Sequence, residues 1–424
     1  MIRIFSLKDT PAEDIFARTE SAVDVSAVVR DIIADVRTSG DEALFRYSAK
    51  FDKNDLKALA VSEEEWKEGL GAVDPELKRV MERAAVNIRA FHEAQKRTGF
   101  ILNDRPGTVV GQKIVPIEKV GLYIPGGLAA YPSTVLMNVI PARIAGCKEV
   151  VITTPANRDG TINPVILAAA WLGGADRIFK VGGAQAIAAL AYGTESVPKV
   201  DKIVGPGNAF VAEAKRQVFG TVAIDMIAGP SEILIVADGK SNPKWVAADL
   251  LSQAEHDRIA SAVLVTDSME LAKAVQAEIE TQLAALEREP IARASIEANG
   301  KIIVAESIDE AIRVANGIAP EHLELCVDSP FDYLDSVKNA GSVFLGRYSP
   351  EALGDYYAGA NHTLPTMGTA RFSSALSVDD FIKKIQYMYY TKDAFLSAAD
   401  DIAAFAESEG LTGHAKSALS RKEE

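Results

Sequence analysis

The chain has 424 residues, 48% hydrophobic and 25% charged, which is too long for one typical domain and apolar enough for full cores. A net charge of −14 argues against a nucleic-acid partner, which would call for basic patches. Two cysteines, Cys147 and Cys326, cannot make a disulfide framework; both lie in apolar runs and read as buried thiols of a reducing compartment.

The opening MIRIFSLKDTPAED has no long apolar region, and the longest apolar stretch, VILAAAWL at 165–172, falls short of the ~20 residues that cross a bilayer. No membrane association and a cytoplasmic location are therefore expected. The first hundred residues read as helices. DVSAVVRDIIADVRTSG carries apolar residues at 25, 28, 29, 32, 33 and 36, with Gly40 as a stop. A second helix runs over 74–97 and carries His92 in a surface or packing role.

From about 118 the pattern changes. KVGLYI, EVVITTPA, RIFKVGG and DKIVGPG read as strands, each followed by a helix. A second alternating block holds SEILIVA, SAVLVT, KIIVAES, HLELCV and SVFLG as strands. Strand–helix alternation with short glycine-bearing turns predicts an α/β protein with two parallel-sheet domains. After a long loop come one strand, IQYMYYT, and closing helices.

Parallel sheets bind ligands beyond the carboxyl ends of their strands, which draws attention to four turns: YIPGGLAAYPST, KVGGAQA, VGPGNAF and IAGPSE. Each can turn backbone N–H groups toward an anion. None is a G-x-G-x-x-G or a Walker motif. Of five histidines, His256 follows Gln253 by three residues, so both side chains share one helix face. With Asp355 and His414 they make a mixed N/O set suited to Zn²⁺ or Mn²⁺; by spacing alone a solvated helix end is the simpler reading of Gln253 and His256. In APEHLEL, Glu321 and His322 sit where a helix gives way to a strand, either as a solvated turn or as an acid–base pair. His362 either lines the pocket near Asp355 or braces its loop, and Arg371 could pair with a carboxylate.

DLLSQAEHD, APEHLEL, GDYYAGANHTLPTMGTARFSS and EGLTGHA, with AIDMIAGPSE and VGPGNAF, resemble the histidinol dehydrogenase family. The resemblance runs in order from Ser26 to Ala415; Ala375 stands where the family more often has Pro. It implies a homodimer of two incomplete Rossmann-like domains with small N- and C-terminal helical pieces. The implied division is a 1–17 arm, a first domain over 18–122 plus 231–376, a second, NAD-binding domain over 123–230, and a tail from 377 to 424 that completes the partner's site. It also implies four-electron oxidation of L-histidinol to L-histidine with NAD⁺ and one Zn²⁺ per subunit. Carried over by residue, Gln253, His256, Asp355 and His414 hold zinc, and Glu321 and His322 are the acid–base pair. Ser231, Gln253, His256, His322, Asp355, Glu409 and His414 contact substrate, and Tyr123, Gln185 and Asn208 contact NAD⁺. The rival within this fold is a zinc dehydrogenase of another primary alcohol, such as a sulfonated diol. A rival of another class is a nucleotide-binding protein without catalysis.

Overall fold

The computed structural model describes residues 1–18, 24–126 and 130–423; Gly127, part of the first glycine-bearing turn, lies outside them. Two compact units emerge, residues 1–95 with 117–381, and residues 96–116 with 382–424.

The larger unit opens with β1 (Arg3–Ser6), α1 (Ala12–Phe16), α2 (Ser26–Tyr47), α3 (Glu63–Ala72) and α4 (Pro75–Glu93). Gly40 kinks α2 at φ 51° but does not end it, because glycine tolerates the conformation and the helix resumes to Tyr47. The intervening β2 (Phe100–Leu102) and β3 (Thr108–Pro116) belong to the smaller unit. Then come β4 (Lys119–Tyr123), α5 (Pro132–Ala145), β5 (Glu149–Thr153), α6 (Pro164–Gly173), β6 (Arg177–Phe179), α7 (Gly183–Tyr192), β7 (Lys202–Val204), α8 (Ala209–Val218) and β8 (Ala223–Ile224). These five strands form a parallel sheet in the order β6-β5-β4-β7-β8. One apolar core covers it, to which α2, α4, α5, α6, α7 and α8 all contribute.

The second block runs β9 (Glu232–Ala237), α9 (Pro243–Ala254), β10 (Ser261–Thr266), α10 (Met269–Leu283), α11 (Glu289–Asn299), β11 (Lys301–Val304), α12 (Ile308–Ile318), β12 (His322–Cys326), α13 (Phe331–Leu334), β13 (Ser342–Leu345) and α14 (Glu351–Leu353). Its six-stranded parallel sheet has the order β1-β11-β10-β9-β12-β13. The N-terminal segment is therefore an edge strand of this sheet, pairing Arg3 with Lys301 through Ser6 with Val304. Strand β9 is buried on both faces, as central parallel strands are. Alternation along β9 and β12 sends Ile233, Ile235 and Cys326 into one core and Leu234, Val236, Leu323 and Leu325 into the other.

The smaller unit is an antiparallel sheet, β14 (Ile382–Tyr390) pairing β3 and β3 pairing β2, followed by α15 (Lys392–Ser408) and α16 (Thr412–Leu419). The expectation of helices throughout the first hundred residues missed β1 and the start of β2. Among the described residues no helix is long and apolar enough to cross a membrane.

Candidate active site

The seam between α12 and β12 is built by local backbone chemistry. Ser307 caps α12 at its start, and Ala319 ends it in the left-handed region at φ 53°. Such a conformation is uncommon for a residue with a Cβ and turns the chain sharply. Pro320 follows, Glu321 enters the sheet, and His322 begins β12. Both ionisable residues are buried. They sit at the amino end of β12, not at a carboxyl end. Glu321 Oε2 accepts from the Glu232 peptide N–H at 2.8 Å, and His322 Nδ1 lies 3.0 Å from the Glu232 carbonyl oxygen. The turn IAGPSE likewise enters β9 at its amino end and does not leave a strand for a helix, which corrects its expected place.

Across from this pair, Asp355 occupies a π-helical turn over Gly354–Ala358. Its Oδ1 is 3.3 Å from His322 Nε2. Burial alone would raise Asp355, but its hydrogen bond to His322 and the nearby His362 hold it well below the usual carboxylate range. Burial would lower His322, but the charges of Glu321 and Asp355 raise it to about 10. The two shifts have one origin, an imidazolium–carboxylate pair out of water. Burial lifts Glu321 to about 8. His362 braces the loop: its Nδ1 is 3.0 Å from the Asp355 carbonyl oxygen and its Nε2 3.2 Å from Thr134 Oγ1. His92 also braces, buried between Gln95 and Asn361. Arg371 donates to the Gly317 carbonyl and, among the described residues, not to a carboxylate.

Gln253 lies in the last turn of α9, 1% exposed, and its Oε1 is buried without a hydrogen-bond partner. A buried amide oxygen left unpaired is costly, and a cation would satisfy it. His256 lies in the exposed turn two residues past the end of α9 and not, as the spacing predicted, on a helix face shared with Gln253; desolvation by the protein around it lowers its pKa against the pull of Asp355, which favours the neutral, metal-binding imidazole. An amide oxygen, a neutral imidazole and an ionised carboxylate fit Zn²⁺ or Mn²⁺. His322, Glu351 and Asp355 also bring ligand atoms within 4.8 Å of one another. Glu351 was not singled out in the sequence; its place four residues before Asp355 was the available signal. Ser231 immediately precedes β9, while Glu409 and His414 are exposed in the smaller unit.

A cavity of about 800 Å³ opens at the carboxyl ends of the five-stranded sheet, and Tyr123, Gln185 and Asn208 all line it. The Tyr123 hydroxyl accepts from the Gly183 N–H at 3.1 Å. Asn208 caps α8, its Oδ1 accepting from Phe210 and Val211. The turn before it is locked by a buried Lys215–Asp225 pair: Lys215 Nζ donates to the Gly205 carbonyl at 3.0 Å and Gly205 N–H to Asp225 at 2.8 Å. A helix N-terminus, an amide side chain and this volume suit a dinucleotide.

Two parallel α/β sheets, one bearing a buried imidazole–carboxylate set and the other a large strand-end cavity, define an α/β enzyme. The family profile described as histidinol dehydrogenase matches residues 16–422. Histidinol dehydrogenase of Streptococcus mutans is 56% identical over 394 residues, 93% of this chain and 92% of that protein. That of Geobacter sulfurreducens is 51% identical over 424 residues, covering 98% and 99%. The crystal structure of histidinol dehydrogenase from Elizabethkingia anophelis superposes with a TM-score of 0.95 at 41% identity, covering 100% of this chain and 98% of that one. The chain belongs to the histidinol dehydrogenase family.

Proposed function

We propose that this chain oxidises L-histidinol to L-histidine through L-histidinal, with two NAD⁺ per turnover, as a cytoplasmic zinc-dependent homodimer of histidine biosynthesis. The observation that carries the reading is the buried Glu321–His322 pair facing Asp355, in a chain of this family. Zn²⁺ on Gln253, His256, Asp355 and the tail's His414 would anchor the imidazole and amine of histidinol and draw off the Asp355 charge that raises His322, while NAD⁺ in the cavity lined by Tyr123, Gln185 and Asn208 would accept hydride.

His322 takes the hydroxyl proton as hydride leaves the carbinol carbon. His322 releases that first proton to solvent before the second oxidation; Glu321 takes a proton from the water that adds to the aldehyde, and the regenerated His322 takes the hydrate's proton as the second hydride departs. Burial of both residues keeps bulk water from the intermediate. Ser231 and Glu409 complete the substrate contacts. We retain the proposed division at 17, 122, 230 and 376, with the tail reaching a partner's site, but residues 96–116 group with the tail, and α2 and α4 pack on the five-stranded sheet rather than on the six-stranded one. Support for dimerisation comes from the smaller unit, which exposes Phe100, Ile101, Leu102, Met388, Tyr389 and Phe405.

The test is NAD⁺ reduction by the purified chain with histidinol and, separately, with a sulfonated diol. The expected result is two NADH per histidinol, none with the diol, loss of activity to a chelator and recovery with Zn²⁺. No NADH with histidinol refutes the reading; full activity of the metal-free chain refutes its zinc site.

A further inference from the structure

The catalytic pair is held from behind by one residue. Glu232 opens β9, beside β12, and holds both members through its backbone: its N–H donates to Glu321 Oε2 at 2.8 Å and its carbonyl oxygen lies 3.0 Å from His322 Nδ1. A carbonyl oxygen only accepts, so Nδ1 carries a proton and Nε2 is the atom turned toward Asp355.

The side chain of the same residue is 5% exposed. Its Oε1 accepts from Arg18 Nη1 at 2.7 Å, and its Oε2 is buried without a hydrogen-bond partner among the described residues. The other guanidinium nitrogen of Arg18 donates to the carbonyl of Ile318, the last residue of α12. One side chain thereby ties the end of α12 to the start of β9, the two segments flanking Glu321 and His322. Behind them lies a cavity of about 270 Å³, lined by Arg3, Arg18, Glu232 and Lys301. Lys301 does not serve Glu232, because its ammonium is spent on the carbonyls of Asp14, Ile15 and Ala17. Arg18 is the cation that balances the buried carboxylate.

We propose that the Arg18–Glu232 ion pair is a positioning device that sets the β9 backbone holding Glu321 and His322, without itself touching substrate. The inference rests on the histidinol reading above. It makes both residues matter to turnover and not to substrate affinity, since misplacing a base by about 1 Å slows the chemical step by about 100-fold.

The experiment uses the full chain with Zn²⁺ and NAD⁺ and compares wild type with Arg18→Gln, Glu232→Gln and Arg18→Lys. It reads kcat and KM for L-histidinol and L-histidinal, zinc content, and histidinol binding by calorimetry. We expect kcat for both substrates to fall about 10- to 100-fold in the two Gln variants, with histidinol binding and zinc content within about threefold of wild type, and part of the loss recovered in Arg18→Lys. Should Arg18→Gln alone fail to fold, the Arg18→Gln/Glu232→Gln double variant leaves no unpaired charge and is read in its place. Unchanged kcat in the Gln variants overturns the proposal, as does a kcat loss that tracks lost zinc or lost histidinol binding. A wild-type chain that reduces no NAD⁺ with histidinol sinks the parent reading, and this one with it.

Discussion

His322 Nε2 lies 3.3 Å from Asp355 Oδ1 while Nδ1 on the same ring faces the Glu232 carbonyl at 3.0 Å. Each ring nitrogen thus has a separate partner, one fixed by the sheet and one turned toward Asp355. His322→Asn retains size and polarity but cannot accept a proton at that position. Histidinol should still bind, and turnover should fall by about 10²–10⁴-fold, the usual worth of a positioned base. Steady-state rates beside a binding isotherm check this; wild-type turnover in the variant would remove His322 from the mechanism.

A second imbalance lies two residues along β12. Glu324 is fully buried, and the ionisable groups that act on it include Asp249 and Glu351, both acidic. Burial, then the Asp249 charge, raises Glu324 well above its ordinary value, and burial raises its partner Asp249 to about 6. Folded pKa values above unfolded ones mean that the native state binds more protons, so stability is fully present at acid pH and falls as pH rises through the folded values. Glu324→Gln keeps the oxygen that accepts from the Glu351 N–H at 2.8 Å and removes the charge. Melting curves should show the variant more stable than wild type at pH 8 and nearly equal at pH 4.5. A variant less stable than wild type at pH 8 would show that the charge is stabilising.

Asn208 separates cofactor binding from folding. It lines the large cavity and also caps α8 with its Oδ1. Asn208→Ala would confound the two, since losing a cap costs about 1 kcal/mol. Asn208→Asp preserves the cap and adds a negative charge beside the site expected to hold a dinucleotide's phosphates. We expect KM for NAD⁺ to rise by about tenfold or more, an energy of about 1.4 kcal/mol, with the melting temperature unchanged. An unaltered KM would place the dinucleotide elsewhere.

How much of this was legible in the chain depended on period and range. The strands KVGLYI, EVVITTPA and SEILIVA announce themselves as apolar runs between glycine turns, because a parallel strand is buried on both faces. Strand β3 did not, since its pairing with β14 spans more than 250 residues and has no local signature, and β2 is a three-residue exposed strand whose only partner among the described residues is β3. Within the site, Glu321, His322 and Asp355 were found through motif strings. Glu232 and Glu351 were passed over because each looks like an ordinary strand or helix start; their roles exist only when β9, β12 and the Asp355 turn are side by side. The rule that ligands lie at carboxyl strand ends pointed to the large cavity but not to the buried Glu321–His322 pair, which is held by the peptide groups of Glu232 at the amino end of β9.

Glu409 and His414 lie in the smaller unit, with Glu321 and His322 in the larger. If the tail serves a partner's site, defects in the two units must complement one another. His322→Asn and His414→Asn chains, each inactive alone, are mixed, dissociated and reassociated. A mixed dimer then holds one doubly defective site and one intact site. Statistical pairing makes about half the dimers mixed, with one good site in each, so about a quarter of wild-type activity should return. If His414 serves its own chain, every site in every dimer carries one defect, and the mixture stays as inactive as its components.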